Sequence, residues 1–139
     1  MKKFILPFLV LALFGMNAVT AHAATKAVTL TFTTMDNEGG KSTAAGTVQL
    51  QPLPNGKTLL KFKVNGLQAG GQYFLTWSGS TACALETDNA AKSFNHFTAK
   101  TNGSLNHTER VEVDMTAIGS IGIRTETGQV LVACAGATP

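Results

Sequence analysis

The chain has 139 residues, 44% of them hydrophobic and 14% charged, and carries a formal net charge of +3. That length makes one domain with a modest core. Its lysines and arginines form no basic run, so the electrostatic footprint of a nucleic-acid binder is missing.

The first predicted element is a leader. Met1-Lys2-Lys3 is followed by an apolar run from Phe4 to Phe14, and Ala21-His22-Ala23 supplies the small-x-small pattern of a cleavage site. A signal peptide over residues 1–23 is expected, with a mature domain over 24–139. The run is too short for a bilayer span of about 20 residues, and no later segment is apolar for that long. The mature chain is therefore expected in the periplasm or outside the cell, with no membrane span. Taking 23 residues from 139 leaves 116, and the loss of Lys2 and Lys3 leaves nine basic residues against eight acidic ones.

The mature sequence repeats with a period of two, the signature of half-buried strands. Val28, Leu30 and Phe32 alternate with threonines, and Val48 and Leu50 with Thr47, Gln49 and Gln51. Leu60, Phe62 and Val64 alternate with Lys61 and Lys63, and Val111, Val113 and Met115 with Arg110, Glu112 and Asp114. Tyr73–Trp77, Ile118–Ile123 and Val130–Ala133 are shorter runs. Asn55-Gly56 between two strands predicts a tight hairpin, because both turn positions favour positive φ. Asn65-Gly66, Asn102-Gly103 and Thr127-Gly128 mark further turns. The expectation is an all-β fold of seven to eight antiparallel strands, a Greek-key sandwich or barrel.

Two cysteines, Cys83 and Cys134, follow the leader. In an oxidising compartment an even count reads first as a disulfide, ahead of two separate thiols or a zinc site. Only His96 and His107 survive leader cleavage. A hairpin that brought them together, with Glu86, Asp88 or Glu109 as a third ligand, would make a copper or zinc binding or delivery protein. Exposed imidazoles are the alternative. Ser78-Gly79-Ser80 lacks the frame of a nucleophile elbow, and no catalytic constellation stands out.

The stretch Gly66-Leu67-Gln68-Ala69-Gly70-Gly71-Gln72-Tyr73-Phe74-Leu75-Thr76-Trp77, leading to Cys83, resembles a signature of the Cu,Zn superoxide dismutases. There a Gly-Leu-x-x-Gly turn runs into His-Gly-Phe-His-x-His, and a disulfide cysteine follows. Gly128-Gln129-Val130-Leu131-Val132-Ala133-Cys134-Ala135-Gly136 is similar to the segment carrying the second cysteine. The resemblance implies a superoxide-dismutase-like barrel tied by Cys83–Cys134. It also implies lost chemistry. The paired copper histidines fall on Leu75 and Trp77, the bridging histidine on Ser93, and the anion-guiding arginine on Leu131. The last copper histidine would lie near Ile123 to Thr125.

A non-catalytic homologue without cofactor is therefore expected, a pseudoenzyme serving as a binding or structural module. Phe74 would face inward. Tyr73, Leu75 and Trp77 would face outward as a candidate contact surface for an unknown protein partner or for self-association.

Overall fold

The computed structural model describes residues 26–37, 40–83 and 93–136. The leader, Glu86 and Asp88 lie outside the described residues. The strands in chain order are β1 (Val28–Thr34), β2 (Asp36–Asn37), β3 (Gly40–Lys41), β4 (Ala45–Leu53), β5 (Lys57–Asn65), β6 (Gln72–Ser78), β7 (Ser93–Thr98), β8 (Leu105–Val111), β9 (Ser120–Thr125) and β10 (Leu131–Gly136). A 3₁₀ turn at Met115–Ala117 precedes β9, with the Asp114 side chain accepting from the Thr116 amide.

Eight strands form one curled antiparallel sheet in the order β7-β6-β9-β10-β1-β4-β5-β8, and β2 and β3 make a separate small ribbon. The chain order within that sheet is a Greek key. β1 joins its two halves, pairing with β4 over Val28–Phe32 and with β10 at Thr33 and Thr34. The expected hairpin between β4 and β5 closes at Asn55 and Gly56, with φ of 64° and 68°.

The alternating apolar residues meet inside the curl. Leu30 and Phe32 of β1, Val48 and Leu50 of β4, and Leu60, Phe62 and Val64 of β5 pack against Leu75 of β6 and Ile121 and Ile123 of β9. Phe62 is 1% exposed, and Leu60, Leu75, Ile121 and Ile123 are fully buried. Each such side chain stabilises the fold by about 1.5–3 kcal/mol relative to exposure. Polar groups inside the sheet are bonded: the Thr58 hydroxyl donates to the Val113 carbonyl at 2.6 Å.

β7 and β8 are the sheet's two edges. Edge strands resist unwanted pairing when charged side chains point inward. On β8, His107 and Glu109 face the inner side opposite Phe62 and Leu60, where they pair at 2.8 Å.

Candidate functional site

The half of the sheet made by β7, β6, β9 and β10 carries a second layer of side chains on its outer surface. Strand register builds it in rows. His96, Phe74, Arg124 and Leu131 lie side by side across four strands, and Thr76, Gly122 and Cys134 form the next row. The Phe74 and His96 rings stack with centroids 5.7 Å apart. His96 Nδ1 lies 2.6 Å from a Glu126 carboxylate oxygen.

The disulfide closes over this layer. Cys83 and Cys134 are bonded, with Cα atoms 5.9 Å apart. The Cys83 amide donates to the Ser120 hydroxyl at 2.9 Å. Close approach of the loop depends on missing side chains beneath it. A Cβ on Gly136 would sit 2.3 Å from the Thr81 carbonyl oxygen of that loop, whereas one on Gly122 would crowd its neighbours in the layer, Leu131 Cδ1 at 2.9 Å and Thr76 Oγ1 at 3.0 Å.

Arg124 is the unexpected member. It is only 4% exposed. Its Nη1 donates to the Gln129 carbonyl at 3.0 Å and its Nη2 to the Cys83 carbonyl at 2.9 Å, while its Nε is buried without a partner among the described residues. No carboxylate pairs with it among the described residues. Burial pulls the guanidinium below its ordinary pKa, yet arginine remains charged at physiological pH. The chain thus holds a fixed positive charge beneath its disulfide. In the sequence the short run Ile118–Ile123 marks a strand, and Arg124 stands out only as lying near the last copper position. The one clue against solvent is Gly122 beside it, opposite Cys134.

The orientation expected for β6 is reversed. Tyr73 is 4% exposed and Leu75 fully buried, both within the core, and Trp77 packs half-buried against it. Tyr73 stacks on Phe97 at 5.7 Å, and its hydroxyl accepts the Gln68 amide proton at 2.9 Å. Phe74 takes the outer face instead. Of the contact surface expected on Tyr73, Leu75 and Trp77, only the half-buried Trp77 keeps any exposure. Both faces of β6 are covered, one by the core and one by the disulfide layer, so alternation could not tell them apart.

The two histidines do not converge. His96 lies on the outer face against Phe74, and His107 lies on the inner face, its ring 6.5 Å from that of core residue Phe62. Each has its own carboxylate, Glu126 for His96 and Glu109 for His107.

These features define a disulfide-stapled Greek-key barrel with a closed outer layer. No protein-family model and no curated protein matches the sequence. Among solved structures, the Cu/Zn superoxide dismutase from Brucella abortus matches with a TM-score of 0.56 at 14% identity, covering 80% of this chain and 99% of that one. The fold is superoxide-dismutase-like. At that identity the likeness concerns the fold alone.

A copper or zinc ion would need several imidazole, carboxylate or thiolate donors converging on one point. Among the described residues no three His, Cys, Asp or Glu side chains are grouped to hold one. Arg124 falls within the stretch matched to the last copper histidine and supplies a cation rather than a lone pair. The described residues do not fit the metals that the fold relative's name implies.

Proposed function

We propose that the chain is exported behind a leader cleaved after Ala23 and serves, in the periplasm or outside the cell, as a non-enzymatic binding or structural module. It keeps the superoxide-dismutase fold without dismutase chemistry. One observation carries the reading. The layer over β6 and β9 is filled by Phe74, Leu131 and the buried, permanently charged Arg124 under the disulfide. A guanidinium there repels a metal cation, and the side chains around it offer no imidazole pair in place of water.

Export is supported by the leader pattern and by a disulfide, which persists in oxidising compartments. The test is to incubate the isolated protein with Cu²⁺ and Zn²⁺, remove free ions, and measure bound metal and superoxide turnover. Neither stoichiometric metal nor turnover above free-ion controls is expected. Stoichiometric copper accompanied by turnover would overturn the reading. Mass measurement of the exported form tests the cleavage, which should remove residues 1–23.

A further inference from the structure

Among the described residues nothing packs over the outside of the other half of the sheet, β1-β4-β5-β8, and its register sorts charge. One row across the four strands reads Thr29, Gln49, Lys61, Thr108, and the next reads Thr31, Thr47, Lys63, Asn106. On the other side of the first row, Gln51, Leu59 and Arg110 lie side by side. Lys61, Lys63, Asn106, Thr108 and Arg110 are exposed, and Gln49, Gln51 and Leu59 are half-buried.

Lys61 and Lys63 are two residues apart on one strand, about 7 Å. Arg110 is the diagonal neighbour of Lys61, about 7–8 Å away. Three cations therefore share one patch. Lys57, at the rim, pairs with Glu112 at 2.7 Å. The other described acidic side chains lie elsewhere: Glu109 on the inner face, Asp114 at the 3₁₀ turn, and Glu126 beside His96. Glu112 shares this face, two residues along the chain from Arg110, and is held by Lys57; among the described side chains no carboxylate pairs with Lys61, Lys63 or Arg110, so the face keeps a positive excess.

We infer that this face docks an acidic polysaccharide, a glycan chain bearing recurrent carboxylate or sulfate groups. The inference deepens the binding-module reading and rests on the chain being exported. Charge complementarity selects a polyanion. The face flanks its cations with amides and hydroxyls, from Gln49, Asn106 and Thr108, which match a chain whose acidic groups alternate with sugar hydroxyls. The face has no aromatic ring for a nucleobase to stack on. It has no protruding apolar side chain to enter a bilayer, since Leu59 is half-buried.

The test is equilibrium binding of the exported, full-length-encoded protein to polyuronate and to heparin, at low and moderate salt. Oligonucleotides and phosphatidylglycerol vesicles serve as comparison polyanions. Binding to the glycans that weakens with salt is expected. Lys61→Gln, Lys63→Gln and Arg110→Gln should each weaken it roughly fivefold, the loss typical of one surface cation against an anionic surface. Lys100→Gln, at the exposed turn between β7 and β8 and outside these three rows, should not. Circular dichroism should show every variant folded, because each site is exposed.

No glycan binding, equal loss in Lys100→Gln, or tighter binding to vesicles or oligonucleotides would overturn the inference. Metal uptake and superoxide turnover, measured on the same preparations, report separately on the non-enzymatic reading. Glycan binding can fail while that reading stands, and the reverse.

Discussion

Replacing Arg124 separates what its charge does from what its volume does. In Arg124→Ala the Cys83 carbonyl loses a charge-assisted bond and stays buried, a penalty of about 1–3 kcal/mol. The Gln129 carbonyl belongs to an exposed residue and turns to water, so its loss is small. The cavity left between Phe74 and Leu131 adds its own cost, which brings the total to about 3–4 kcal/mol. Arg124→Met keeps most of the packing and removes a buried cation whose Nε has no partner. It should therefore cost less, about 1–2 kcal/mol. Arg124→Lys adds a third reading. A buried lysine has its pKa depressed, so between that value and about 10.4 the unfolded chain binds more protons. Stability of that variant should rise with pH over this window, whereas wild-type arginine titrates too high to give such a slope. The assay is urea unfolding with the disulfide intact, paired with amide exchange at Cys83, which should accelerate in Arg124→Ala. Equal stability of Ala and wild type, or Met less stable than Ala, would refute the assignment of Arg124 as the clamp on the disulfide loop.

Reducing the disulfide, or replacing both cysteines by serine, should lower stability by about 4 kcal/mol in the chain-entropy model, since the bridge joins residues 51 apart; a loss under about 1 kcal/mol in urea unfolding would show that the loop is held by Arg124 alone. Leu75→Ala should cost about 3–4 kcal/mol because Leu75 is fully buried. The half-buried Trp77 should tolerate alanine better, and the opposite ranking would return β6 to the orientation expected from sequence. The Asp114 carboxyl is held below its ordinary pKa by hydrogen bonds from the Thr116 hydroxyl and amide. Its folded pKa is depressed, so its contribution is present above the unfolded value and is lost as pH falls through the folded one. Asp114→Asn should flatten the acid limb of a stability–pH curve measured by urea midpoint.

Strands with one wet face were legible from their residues. Thr29 and Thr31 against Leu30 and Phe32, or Lys61 and Lys63 against Phe62 and Val64, leave no doubt about which side is buried. Asn55-Gly56 fixed its hairpin through backbone preference alone. β6 failed for a physical reason: Tyr73, Phe74, Leu75 and Thr76 are all buried, so the period-two signal has no polar phase. Arg124 was illegible for a related cause. A charged side chain in a strand is ordinarily solvent-facing, and the Cys83 segment that bonds this one is remote in sequence. The cation patch was illegible because Arg110 comes from a strand far along the chain from Lys61 and Lys63, and only the β5–β8 register brings them together.

The two halves of the sheet constrain where a partner can act. A barrel of this kind buries its inner face, so binding or chemistry must use the outside, the ends or the loops. Over β6, β9 and β10 the outside is sealed by a covalent bridge, a buried guanidinium and stacked rings, and opening it would expose Phe74 and break the bond from Arg124 to the Cys83 carbonyl. A ligand docking there would have to offset that disruption before gaining affinity. Over β1, β4, β5 and β8 nothing must move. The cations already stand in water, and Glu112, the carboxylate described on this face, is held by Lys57, so an incoming polyanion displaces counterions and surface water. On energetic grounds the open face is the better place for recognition, and glycan binding unaffected by Arg124→Met but lost in Lys61→Gln with Arg110→Gln would place it there.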